Sequence, residues 1–191
     1  MGDPGSDDHG IRRPAFSDQF FCEHPWDKNE AMKIIDRIHG DYVHQRRVRV
    51  LTEFFASSLP RDLLVLDVGC GDGLLAMTLA RARPDLKIVG VDVLERPDCA
   101  ITMTTFDGER LPFDKGEFDV VLMADVLHHT EEPIRLLKEA KRVSRRWIAL
   151  KDHTRNGLLA GVTLRFMDKV GNSRHGVALP HVYWSKEEWS R

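Results

Sequence analysis

An α/β fold built on a doubly wound, mostly parallel sheet is predicted by three features of the sequence. Short runs rich in branched apolar residues recur at 63–68, 87–92, 118–124 and 147–151, with the length and two-sided hydrophobicity of buried parallel strands. Segments of helical spacing alternate with them, at 29–58, 73–82 and 133–145. The first strand runs straight into Gly69, Gly71 and Gly73, a glycine-rich strand-to-helix turn.

Taken in order, residues 1–28 open with a stretch rich in Gly, Pro and Asp and read as a flexible segment, leaving 29–191 as a single domain. From Asn29 to Ser58 the apolar positions Met32, Ile35, Ile38, Val43, Val48, Leu51, Phe54 and Phe55 recur mostly at helical spacing. Gly40 is expected to break this stretch into two helices, and Pro60 follows its end. Leu63 to Val68 is the first strand, and Gly73 to Ala82 a helix packing through Leu74, Leu75, Met77 and Leu79. Strands are expected at Lys87 to Asp92, Ile101 to Phe106, Phe118 to Ala124 and Trp147 to Lys151. Between the last two lies a helix from Pro133 to Arg145, with Thr130 as its cap, Glu131 and Glu132 at its positive end and Arg145 and Arg146 at its negative end. Only eight residues separate Asp92 from Ile101. A parallel crossover takes about a dozen or more, so the helix between strands two and three is expected to be absent or one turn long. Residues 156–170 form an amphipathic pattern through Leu158, Leu159, Val162, Phe166 and Met167, followed by Gly171, Gly176 and Pro180. That arrangement suits a substrate-covering lid within 154–191.

The glycine turn carries the chemistry. Glycines let a backbone approach a ligand where Cβ atoms would block it, and Asp92, 19 residues past Gly73 at the end of the second strand, is placed to accept hydrogen bonds from both hydroxyls of a ribose. Together they point to an adenosine-containing cofactor. A dinucleotide site spaces its glycines Gly-x-Gly-x-x-Gly, but Leu74 stands where its third glycine belongs. His128 and His129 lie just past the fourth strand and Lys151, Asp152 and His153 at the end of the fifth, on the edge where such sheets bind ligands. His128, His129, Asp152 and His153 are therefore the candidate catalytic residues, although a Lys151 and Asp152 ion pair is the plainer reading of that cluster. Asp119 reads as a structural hydrogen bond at a strand start, and Asp107 as either a loop cap or an adenine contact. His175 and His181 share no ligand spacing with a carboxylate, so no metal is expected.

On these residues the chain resembles the class I S-adenosylmethionine-dependent methyltransferases, in their small-molecule branch, methyltransferase type 11, which includes quinone-biosynthesis enzymes. The resemblance covers about residues 40 to 153 and rests on the run from Leu64 to Gly73, on Asp92, on Phe106 to Phe113, on Glu117 to Val121, on Ala124 to His129 and on Pro133 to Val143. It implies a Rossmann-like fold, S-adenosylmethionine as cofactor and methyl transfer to a small-molecule acceptor. It also implies that Asp67 lies near the cofactor's methionine amino group, that 106–113 meets its adenine, and that Gly69, Cys70, Gly71, Gly73, Asp92, Val93, Leu94, Asp107, Gly108 and Asp125 complete the cofactor site. The family places a strand hairpin after a segment like Trp184 to Trp189, so a sequence reaching Arg191 is expected to lack it. A cofactor-binding regulatory protein without activity and an NAD-dependent oxidoreductase are the alternatives.

Composition is compatible with this. A chain of 191 residues suits one domain, burying about 70% of its unfolded surface. With 28 Lys and Arg against 30 Asp and Glu the net charge is -2, giving no basic field to recruit nucleic acid. Cys22, Cys70 and Cys99 are odd in number and lack metal spacing, as expected of free thiols in a reducing compartment. No apolar run suggests a membrane span and the N-terminus is not signal-like, so the cytoplasm is the expected location.

Overall fold

The computed structural model describes residues 28–155 and 183–190. The chain divides into two compact units, 1–38 and 39–191. In the first, the described part is the beginning of α1 (Lys28–Ser58).

Helix α1 runs through Gly40 without interruption, which corrects the expectation of two helices. An interior glycine costs a helix only about 1 kcal/mol relative to alanine, and the later turns of α1 are anchored by Leu51 and Phe55, buried against Leu63 and Val65. The sheet comprises β1 (Leu64–Val68), β2 (Lys87–Asp92), β3 (Met103–Thr105), β4 (Phe118–Ala124) and β5 (Ser144–Lys151), in the order β3-β2-β1-β4-β5. All neighbours are parallel; Val65 pairs with Ile88 on one side and Val120 on the other. Alternate residues of the central strands serve opposite faces. Val65, Val120 and Leu122 join Leu75 and Leu79 of α2 (Leu74–Ala82), while Leu66, Val68, Val121 and Met123 join Leu136, Ala140 and Val143 of α3 (Pro133–Val143). The chain crosses over between β1 and β4, the switch point at which ligands bind beside the strands' carboxyl ends.

Several boundaries differ from expectation, each for a local reason. β3 is half the expected length, and residues 93–102 connect it to β2 without a helix, as the short spacing requires. Helix α3 stops at Val143, and Arg145 and Arg146 lie on β5 instead of closing a helix. Their guanidiniums approach Asp119 at 3.6 and 3.5 Å, and Asp119 also accepts the Leu64 amide at 3.0 Å, the structural role expected of it. Thr130 does not cap α3. It closes the single 3₁₀ turn Leu127–His129, and Glu132 is the residue before α3, with Pro133 in its first turn, where a missing N–H is harmless. After β5 the described residues hold an isolated bridge between Thr154 and Trp184 and the short helix α4 (Lys186–Trp189), capped by Ser185. The expected lid helix at 156–170 and the flexible segment before residue 28 lie outside the described residues. No described helix is long and apolar enough to cross a membrane.

Candidate functional site

The turn after β1 is shaped by backbone hydrogen bonds to β2. Gly69 and Cys70 donate to the Val91 carbonyl at 2.7 and 3.3 Å, and Gly73 donates to the Cys70 carbonyl at 2.9 Å before α2 begins. Gly71 adopts φ 57°, a left-handed conformation that side chains resist, and a Cβ there would meet nothing within 4 Å. The space in front of Gly71 is open, which is what close approach of a ligand to the backbone requires. Gly71→Val is therefore expected to weaken S-adenosylmethionine binding at least about tenfold, because the side chain enters that space and the backbone is strained by roughly 1 to 2 kcal/mol. Calorimetry beside circular dichroism checks it: unchanged affinity in a folded variant would show that the cofactor does not approach here.

Asp92 does more than its position at a strand end suggested. Its Oδ2 accepts the Gly71 amide at 2.9 Å and its Oδ1 the Leu94 amide at 3.0 Å, so the carboxylate braces the turn and the start of the 93–102 connection. Each oxygen keeps a second lone pair for a ribose hydroxyl. Val93 is exposed and packs toward Gly108, bringing the ends of β2 and β3 together where an adenine is expected. Asp107 caps its own loop, its Oδ1 accepting the Glu109 and Arg110 amides at 2.8 Å each, and these bonds hold its carboxyl below the usual range. Arg142 of α3 fixes the same segment by donating to the carbonyls of Phe113 and Leu111 at 2.7 and 2.8 Å.

Asp67, in the middle of the sheet's binding edge, is fully enclosed. Burial pushes its carboxyl up to about 7, with Arg47 opposing the shift and Asp92 adding to it. A folded-state value above the unfolded one means that the fold loses stability as pH rises from about 4 to about 7, since over that range the unfolded chain releases a proton that the buried carboxyl retains. Asp67→Asn is expected to stabilise the ligand-free protein at pH 8 by on the order of 4 kcal/mol, at about 1.4 kcal/mol per pKa unit, with the gain shrinking toward pH 5. Urea unfolding at both pH values measures this, and no gain at pH 8 would refute it.

A second cluster lies past β4 and β5. Asp125 has φ 61° and accepts Arg47 Nε at 2.8 Å, with Arg47 Nη2 at 2.7 Å from the same oxygen. Its other oxygen takes Lys151 Nζ and faces His153 Nε2 at 3.4 Å. Burial raises the Asp125 carboxyl, but the cations Arg47 and Lys151 outweigh it and hold it ionised. Lys151 thus pairs with Asp125, not with Asp152 as the plainer sequence reading had it. Asp152 belongs to a buried dyad: its Oδ1 lies 2.5 Å from His128 Nδ1 and accepts the His153 amide at 2.7 Å, while its Oδ2 accepts the Leu127 amide at 2.8 Å. The His128 ring packs beside His129 at 4.0 Å, edge-on to His153 at 5.1 Å and stacked on Tyr183 at 5.5 Å. The four candidate catalytic residues are therefore one cluster, but their access differs. The His128 side chain is 2% exposed and that of Asp152 1%, against 37% for His153. Burial pushes the His153 imidazole below its ordinary value, so it is neutral at pH 7. Arg47 was not visible as a site residue in the sequence; nothing distinguishes it locally from Arg46 or Arg49 on the same helix. Among the described residues no group of His, Cys, Asp and Glu is arranged to hold a metal ion.

Residues 66–146 match the family model described as a methyltransferase domain. The ubiquinone biosynthesis O-methyltransferase of Roseobacter denitrificans is 32% identical over 59% of this chain and 50% of that protein. The 27-O-demethylrifamycin SV methyltransferase of Amycolatopsis mediterranei is 25% identical over the same shares, so the chain spans about half the length of these curated relatives. A crystal structure of a methyltransferase-like protein from Bacillus halodurans shares the fold, with a TM-score of 0.55 at 23% identity, over 75% of this chain and 64% of that one.

Proposed function

We propose that this chain, which carries a class I S-adenosylmethionine-dependent methyltransferase domain, transfers the donor's methyl group to a hydroxyl of a small molecule. The observation that carries the reading is the open glycine turn braced by Asp92, with the enclosed Asp67 beside it. Bound there, S-adenosylmethionine supplies a sulfonium methyl that is electrophilic without further activation. What remains for the protein is to orient donor and acceptor in line and to take the acceptor's proton.

The residues divide those tasks. Asp92 receives the ribose hydroxyls, and the segment 106–113, held by Arg142, flanks the adenine. His153 stands beyond the methionine end as a neutral imidazole. The ionised Asp125 beside Nε2 favours the tautomer with its proton there, leaving Nδ1 to accept the hydroxyl proton. The buried His128 and Asp152 do not reach the surface; they hold His153 in place through its backbone amide. A base of this kind suits an oxygen acceptor, and the likeness to the ubiquinone biosynthesis O-methyltransferase and the 27-O-demethylrifamycin SV methyltransferase supports a small molecule in that role.

Calorimetry with S-adenosylmethionine and with NAD tests the cofactor, and transfer of a labelled methyl to a panel of small phenols and alcohols tests the reaction. Preference for NAD would refute the donor. Tight donor binding with no turnover would favour a regulatory role, and transfer to tRNA alone would refute the small-molecule acceptor.

A further inference from the structure

The sulfurs of Cys70 and Cys99 meet behind the glycine turn. Cys70 lies within the turn and is buried; Cys99 lies on the 93–102 connection and is partly exposed. Two glycines make room for them. Cys99 Sγ is 2.8 Å from the point where a Gly73 Cβ would stand, and Cys70 Sγ 2.7 Å from the corresponding point on Gly90. Ile101 reaches both points, at 3.0 and 2.8 Å, so the two thiols share one small packed space. They stand close enough for Cys99 to help push the Cys70 thiol up. The connection is otherwise tied to the turn by the Ala100 amide on the Asp72 carbonyl at 2.8 Å, a single backbone bond between them.

We propose that Cys70 and Cys99 are a redox modification site: they form a reversible disulfide by exchange with a low-molecular-weight disulfide, stapling the 93–102 connection to the glycine turn and weakening cofactor binding. The exchange balances. The thiolate of the accessible Cys99 attacks the reagent, forming a mixed disulfide and releasing one small thiol; Cys70 then attacks the Cys99 sulfur, releasing the second. Two protein thiols become one disulfide, and one small disulfide becomes two thiols. The second step is the slow one, because burial pushes the Cys70 thiol far above its ordinary value and keeps it protonated. A bond near 2.05 Å must replace a contact between two whole thiols, so the turn that carries Gly71 moves toward the connection. The consequence for the cofactor rests on the function proposed above; the modification itself does not.

The test uses the full chain in a Cys22→Ser background, so that only this pair can exchange, incubated with glutathione disulfide. Non-reducing peptide mass mapping is expected to link the peptides of Cys70 and Cys99 with loss of two hydrogens, and S-adenosylmethionine affinity to fall by roughly tenfold and recover with dithiothreitol. Cys99→Ser should bind the cofactor like the reduced protein and be indifferent to oxidant. A glutathione adduct that persists on Cys99 without the link, or a link that leaves affinity unchanged, overturns the proposal. Failure of the reduced protein to bind S-adenosylmethionine counts against the function proposed above instead, since the link is read by mass alone.

Discussion

His153→Gln is expected to lower methyl transfer by roughly 10²- to 10⁴-fold, the range that a positioned general base contributes, while leaving donor affinity unchanged. The reasoning is one of access and protonation. The side chains of His128 and Asp152 are enclosed whereas that of His153 is 37% exposed, and burial keeps it neutral, hence able to accept a proton, at pH 7. The sign of its pH dependence follows: the rate rises with pH as the imidazolium loses its proton, with the midpoint of that limb below 6.5, and the variant should lack the limb. Asp152→Asn should be milder, displacing His153 without removing it. A His153→Gln enzyme with wild-type turnover and an unchanged acid limb would move the base elsewhere.

Asp92→Ala should cost the protein twice. Loss of two charge-assisted hydrogen bonds to the ribose weakens donor binding by about 2 to 4 kcal/mol, thirtyfold or more. The Gly71 and Leu94 amides also lose their acceptor, so the turn loosens even without ligand. Asp92→Asn separates the two effects: its carbonyl still accepts one of those amides but carries no charge. Calorimetry gives the affinity and hydrogen exchange at residues 69–73 the loosening. A folded Asp92→Ala protein with unchanged affinity would remove Asp92 from the cofactor site.

How much of this was legible beforehand depended on sequence separation. The glycine turn, Asp92 and the helix-free connection to β3 were readable because each is a matter of spacing within about thirty residues and local backbone chemistry. Asp119 was readable for the same reason, as a polar residue at the mouth of an apolar strand. The pairing of Arg47 with Asp125 was not, since it bridges 78 positions and exists only because α1 packs beside the end of β4. An ion pair of Lys151 with its neighbour Asp152 is the plainer alternative in sequence, yet successive residues of an extended segment point to opposite sides, and each finds its partner in the turn beyond β4 instead. The end of α3 was misplaced because Arg145 and Arg146 satisfy a helix dipole in sequence but Asp119 in space. Local rules were overridden wherever a distant charge was available.

The central position of β1 bears on how the chain is made. Its partner β2 follows closely, but its other edge waits for β4, which begins at Phe118, long after Val68. At ribosomal speeds of about 5 to 20 residues per second that wait lasts roughly 3 to 10 s. Throughout it, an apolar strand destined for the middle of the sheet presents unpaired amides and carbonyls to the crowded surroundings of the exit tunnel. Nascent chains halted before β4 should therefore recruit chaperones or aggregate, and release of a longer chain that includes β4 should relieve both.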